Sequence, residues 1–221
     1  MKILQVRHLV KSFGLKRVVD DVSFEVEEGE CVGIVGPSGC GKSTLVKLIA
    51  RLIDSDSGTI IFDGEDITHK KDLKGVYSKM QMVWQNPQDS FDPRKTLGWS
   101  IGEGMRNHHF KDINTKIKSL LAEVGLTADF FDKYPHEVSG GECQRAAIAR
   151  AIALSPKLLI CDEATSALDV NIQAQIIKLI KRLCTQRRIA CLFITHNLTI
   201  LPQIADKVLS LKKLPENQIS L

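Results

Sequence analysis

Two stretches of this chain carry residue types that handle phosphate. The first is Gly36-Pro37-Ser38-Gly39-Cys40-Gly41-Lys42-Ser43-Thr44, which follows the apolar run CVGIV and opens the helical pattern STLVKLIARL. Glycines at this spacing let backbone N–H groups converge on phosphate oxygens, and the helix N-terminus adds its positive end. Lys42 is then placed to reach the β- and γ-phosphates of a nucleoside triphosphate, and Ser43 to ligate Mg2+. A Gly-rich turn with a chance Lys-Ser is the competing reading, and the strand–loop–helix context argues against it.

The second stretch is the apolar run Leu158-Leu159-Ile160-Cys161 ending in Asp162 and Glu163. At the end of a strand Asp162 can hold Mg2+ beside Ser43, while Glu163 can polarise an attacking water. Carboxylates at strand ends are commonly plain turn formers, and it is the phosphate loop upstream that favours catalysis here. A third segment, Val138-Ser139-Gly140-Gly141-Glu142, runs into the helical pattern AAIARAIAL and offers a hydroxyl and N–H groups at a helix start. Alone it reads as a flexible cap. Beside a first phosphate-binding helix it suggests a site for a nucleotide held by another chain.

These residues need a scaffold that brings strand ends together. Strands are expected at Ile3–His8, Val22–Val26, Cys31–Val35, Thr59–Phe62, Gln81–Trp84, Leu158–Cys161, Cys191–Ile194 and Lys207–Leu211. Four of them (CVGIV, QMVW, LLIC, CLFI) are almost wholly apolar, as central parallel strands covered on both faces should be. Helices are expected at Lys42–Arg51, Ile113–Val124, Gly140–Leu154 and Ile172–Thr185. The alternation argues an α/β fold with a mainly parallel sheet, preceded by an N-terminal antiparallel β subdomain. From about Asn86 to Leu154 no strong strand is expected. The reading is one domain, with 1–85 and 155–221 as an α/β core and 86–154 as an inserted helical lobe.

The bulk numbers fit a globular domain of 221 residues: hydrophobic 43%, charged 25%, formal net charge +4, a mild charge that decides nothing. The six cysteines form no CxxC pair and no metal-ligand spacing, which fits a reducing compartment. No signal peptide and no apolar run of about 18 residues is visible. The chain is therefore expected to be cytosolic, reaching a membrane only through a partner.

With these motifs in view, the chain resembles the ATP-binding cassette (ABC) ATPases along essentially its whole length. Gly36–Ser43 is similar to the Walker A loop of a P-loop NTPase core, Leu158–Glu163 to Walker B and Val138–Arg145 to the signature motif. Gln85 resembles the Q-loop glutamine, Ser166-Ala167-Leu168-Asp169 the D-loop, His196 the switch histidine and Phe13 the aromatic that stacks on adenine. The resemblance implies ATP and Mg2+ as cofactors, and a head-to-tail dimer, homodimeric or with a paralogue. Each ATP would lie on one chain's Walker motifs and under the other chain's Ser139–Glu142, with Asp169 nearby. Glu163, His196 and Gln85 are the implied catalytic residues; Ser43, Gln85 and Asp162 are the implied metal ligands.

QMVWQNPQDSFDPRKTLG, YPHEVSGGECQR and ICDEATSALDVNIQAQI are similar to the oligopeptide, dipeptide and nickel importer branch. The implied partners are integral membrane permeases and, indirectly, an extracytoplasmic substrate-binding protein, with no nucleic acid. The implied place is the cytoplasmic face of the membrane. The implied function is powering import of peptides, nickel or a metal chelate, with an exporter ATPase as the alternative. A DNA-repair or translation ATPase is disfavoured by the short stretch between Gln85 and Ser139 and by the single cassette. Glu142 stands where the signature often has Gln, and Ala164 where Pro often follows the Walker B Glu. The sequence stops at Leu221, soon after its last expected strand, where many peptide-importer ATPases carry an extension; a short native end and a truncation are both open readings. Cys40, inside the phosphate loop near Lys42, is expected either to be a reactive thiol protected by Mg-ATP or to fill a small slot facing the core. Cys143 is the internal control for that test.

Overall fold

A computed structural model describes residues 1–165 and 168–212. In chain order the first elements are β1 (Lys2–Phe13), β2 (Lys16–Glu27), β3 (Cys31–Val35), α1 (Lys42–Ile49), β4 (Ser57–Phe62), β5 (Glu65–Asp66), α2 (Lys74–Lys79) and β6 (Met80–Val83). They continue with α3 (Leu97–Asn107), α4 (Ile113–Glu123), α5 (Gly140–Ile152), β7 (Leu158–Asp162), α6 (Val170–Arg187), β8 (Ala190–Ile194), α7 (Leu201–Ile204) and β9 (Lys207–Ser210).

The apolar runs become a five-stranded sheet of order β6-β7-β8-β3-β9, parallel at every described pairing. Because side chains alternate along a strand, each run divides its residues between two faces. Cys31, Leu159, Cys161, Cys191 and Phe193 enter a core with Leu97, Ile101, Leu121, Ile148 and Ile180 of the helices α3 to α6. Val32, Ile34, Leu158, Ile160, Leu192 and Ile194 enter a second core with Leu45, Leu48 and Ile49 of α1 and Leu4, Leu9 and Phe62 of the N-terminal strands. Those three α1 residues are fully buried. Each such side chain contributes about 1.5–3 kcal/mol, which fixes the helix whose first turn holds the phosphate loop.

The N-terminal strands form an antiparallel sheet of order β2-β1-β4-β5. β1 and β2 each run to 12 residues, well beyond Ile3–His8 and Val22–Val26. Bulges allow this: the pairing shifts register between Val6 and Leu9, where His8 has φ 51°, and again between Leu9 and Lys11, where Asp21 on the facing strand has φ 49°.

Between β6 and β7 the described elements are helices and 3-10 turns. α3 is not legible from apolar periodicity, because Gly98, Gly102 and Gly104 lower its helix propensity. Packing explains two of these glycines. A Cβ on Gly98 would sit 2.6 Å from Phe131, and one on Gly102 would sit 2.7 Å from Ile117. Close approach to neighbouring elements therefore overrides the local preference. All six cysteines are buried and free, and no group of His, Cys, Asp or Glu among the described residues is arranged to hold a metal ion. No described helix is long and apolar enough to cross a membrane.

Candidate functional site

In open parallel sheets, ligands collect beyond the carboxyl ends of the strands. Here the ends of β3, β8 and β7, consecutive in the sheet, deliver the phosphate loop, His196 and the Asp162–Glu163 pair to one place. A cavity of about 540 Å³ is lined by Ser38, Gly39, Gly41, Lys42, Ser43 and Thr44, with Val18, Glu163 and His196 around them.

The loop takes its shape from two left-handed glycines, Gly39 (φ 76°) and Gly41 (φ 100°). Gly41 has a second constraint, since a Cβ there would lie 2.4 Å from the Val18 carbonyl oxygen. Val18 is a lining residue that motif reading misses, because nothing distinguishes it from the other valines of β2. The buried Lys42 ammonium donates to the carbonyls of Gly36 (2.8 Å) and Pro37 (3.1 Å), folding back along the loop.

Cys40 corrects one expectation. It belongs to the core beneath the loop, with its Sγ only 2.5 Å from where a Cβ on Gly36 would stand. The thiol fills a small slot facing inward, so the reactive-thiol reading is set aside. The proposed control also changes, since Cys143 is fully buried and burial pushes its thiol up to about 11.

Asp162 closes β7 at 9% exposure, and its Oδ1 is buried without a hydrogen-bond partner. Burial raises its pKa, the adjacent Glu163 raises it further, and Lys47 and Lys42 oppose the shift. A buried carboxylate oxygen lacking a donor is costly unless a cation satisfies it. The donor set fits Mg2+ on chemical grounds: hard oxygens from Asp162 and from the Ser43 hydroxyl in the first turn of α1. Glu163 stands in the left-handed region at φ 49°, held by its N–H donating to the Ile194 carbonyl at 3.1 Å. Its Oε1 lies 3.6 Å from Nδ1 of His196. His196 is positioned by the preceding Thr195, whose N–H donates to the Ile34 carbonyl at 3.1 Å.

The remaining candidates do not line this cavity. Phe13 ends β1 at 52% exposure, with the Lys11 ammonium 5.6 Å from its ring centre. Gln85 is exposed on the turn after β6. Ser139 caps α5 in a reciprocal box: Glu142 N–H donates to Ser139 Oγ (3.4 Å), and Glu142 Oε2 accepts from Ser139 N–H (2.8 Å) and from Oγ (2.7 Å). The bonds from Ser139 hold the Glu142 carboxyl below the usual carboxylate range. Gly140 faces Leu168, and a Cβ on Gly141 would lie 2.8 Å from Ile172. Asp169 caps α6, accepting from Asn171 N–H (3.1 Å) and Ile172 N–H (3.0 Å). Ser166 and Ala167 of the same motif lie outside the described residues.

A family description reading "ABC transporter" matches residues 19–166. The chain is 41% identical over 218 residues to an oligopeptide transport ATP-binding protein, OppF, of Bacillus subtilis, covering 94% of this chain and 72% of that protein. It is 42% identical over 199 residues to OppF of Salmonella typhimurium, covering 87% of this chain and 60% of that protein. Among solved structures, cbiO1 of Clostridium perfringens, described as part of the ABC transporter complex cbiONQ, superposes with a TM-score of 0.88. That match has 27% identity and covers 96% of this chain and 85% of the other.

Proposed function

We propose, from the premise that this chain belongs to the ABC transporter family and is an ATP-hydrolysing cassette, that it powers import of peptides as one subunit of a membrane complex. Both OppF proteins are named for oligopeptide transport, which supports the cargo class. The observation that carries the catalytic reading is one cavity holding Lys42, Ser43, Glu163 and His196, with the buried, unpartnered Asp162 oxygen at the end of the neighbouring β7.

In this reading Lys42 exchanges the Gly36 and Pro37 carbonyls for the β- and γ-phosphates. The backbone N–H groups of Ser38 to Thr44 and the α1 N-terminus hold the phosphate chain. Ser43 and Asp162 would hold Mg2+, with Gln85 as the further oxygen donor. The ion supplies charge neutralisation on the phosphates. Glu163 orients the attacking water and draws on its proton, and His196 fixes the γ-phosphate side of the site. Phe13 stacks on the base. Ser139, Gly140, Gly141 and Glu142 act on the nucleotide of a second cassette, with Asp169 at the same interface, and the symmetry closes two sites together. Permease subunits hold the cassette at the cytoplasmic face of the membrane, and a binding protein on the opposite side completes the assembly.

The test is reconstitution of the cassette with its permease subunits in vesicles. Peptide uptake that requires Mg-ATP and is abolished by Glu163→Gln supports the reading. ATP hydrolysis without peptide uptake, but with uptake of another solute, overturns the cargo assignment.

A further inference from the structure

Arg150 lies in the last turn of α5, partly buried. Its Nη1 donates to the Ser90 carbonyl, 60 residues away in sequence. Its guanidinium carbon stands 4.5 Å from the ring centre of Phe91, which is itself buried. No carboxylate lies within ion-pair distance of it among the described residues. Burial pushes its pKa down, and the more distant charge of Glu103 opposes that shift. A cation desolvated without an ion pair is an expensive way to fill space that a Met or Leu could fill. The segment it grips is built to be gripped. The 3-10 turn Gln88–Ser90 is tied by Ser90 Oγ donating to the Pro87 carbonyl (2.7 Å) and by Asn86 Nδ2 donating to Asp89 Oδ2 (2.6 Å). That turn begins three residues after Gln85.

The other end of α5 is Ser139, the cap of the segment read as acting on a partner's nucleotide. At 1.5 Å per residue the two ends stand roughly 16 Å apart on one helix. We propose that Arg150 is a positioning residue that fastens the backbone following Gln85 to the signature helix, so that Gln85 and Ser139 move as parts of one body. This rests on the reading of the chain as an ABC ATPase. What it adds is the side chain that ties the two segments together, through the Ser90 carbonyl and the Phe91 ring.

The experiment uses Arg150→Met and Arg150→Lys in the assembled transporter. In the purified chain, Trp84 beside Gln85 serves as a fluorescent reporter once Trp99, the other of the two tryptophans, is changed to Phe. Arg150→Met should leave ATP affinity within about two-fold and lower kcat by about ten-fold, the scale of one lost charge-assisted hydrogen bond. Trp84 anisotropy should fall, and Arg150→Lys, which keeps a cation over Phe91, should recover part of both signals. Unchanged kcat with unchanged anisotropy overturns the proposal. So does a loss of ATP affinity in step with thermal stability, which marks a merely structural residue. If Arg150→Met does not fold, Phe91→Leu removes the ring while keeping an apolar side chain in this buried position, and should shift the same readouts in the same direction. A wild-type chain that binds no ATP would defeat the family reading, whereas a normal wild type beside an unaffected variant defeats only the role of Arg150.

Discussion

Nδ1 of His196 lies 3.6 Å from Oε1 of Glu163, across the ends of the neighbouring parallel strands β8 and β7. The two residues are 33 positions apart in sequence, and the register of Asp162 beside Ile194 is what brings them together. The pair shares its cavity with the ammonium of Lys42 and the hydroxyl of Ser43. The arrangement is therefore a property of strand order, and it makes each residue's contribution separable by substitution.

Lys42→Ala should abolish tight ATP binding. Lys42 is the lysine of the cavity lining, and its removal takes away the side-chain cation that would meet the β- and γ-phosphates. Equilibrium binding of a fluorescent ATP analogue measures this, and the dissociation constant should rise by at least about 100-fold, the scale of a buried charge contact of ~3 kcal/mol. A constant that barely moves would mean that the loop is not the phosphate site.

Ser139→Ala should leave ATP binding to the isolated chain nearly unchanged while hydrolysis in the assembled dimer collapses, because the residue does not line its own chain's cavity. The capping box gives the cost in stability: losing the Ser139 hydroxyl should destabilise the fold by about 1 kcal/mol. Gly141→Asp tests the same segment more harshly, since any side chain there must displace Ile172. Loss of ATP affinity in the isolated Ser139→Ala chain counts against a two-chain site.

Cys40 should resist alkylation in the folded chain, with or without Mg-ATP, because its sulfur faces the core beneath Gly36. Mass-spectrometric mapping after brief maleimide treatment should find it unmodified, and Cys143 likewise. Rapid labelling of Cys40 that Mg-ATP suppresses would restore the exposed-thiol reading.

Much of this architecture is legible in the residues. Three apolar runs (CVGIV, LLIC, CLFI) give the central strands nearly to the residue because full burial leaves no polar alternation to confuse them, whereas QMVW becomes the edge strand β6, half-buried at Gln81 and Met82 and ending before the exposed Trp84. The phosphate loop is legible because glycine at 39 and 41 answers a backbone requirement, visible in left-handed φ values. What escapes is what tertiary contact decides. α3 carries three glycines and forms through close packing on Phe131 and Ile117. Val18 joins the cavity only because β2 passes over Gly41. The orientation of Cys40 depends on the space under Gly36, which no spacing rule encodes. Arg150 reads in sequence as one more helical cation, and only its grip on Ser90 and Phe91 singles it out.

The measurement that bears most directly on the account is phosphate release by the assembled transporter carrying Glu163→Gln, with ATP binding recorded on the same sample. The variant keeps Lys42, Ser43 and Asp162, so ATP should bind as in the wild type. Without the carboxylate to draw on the water's proton, turnover should fall by about 10²–10⁴-fold. The undischarged nucleotide should hold the cassettes together as a dimer in size-exclusion chromatography with Mg-ATP. Wild-type turnover in Glu163→Gln would contradict the assignment of the reaction to this carboxylate and to the cavity built around it.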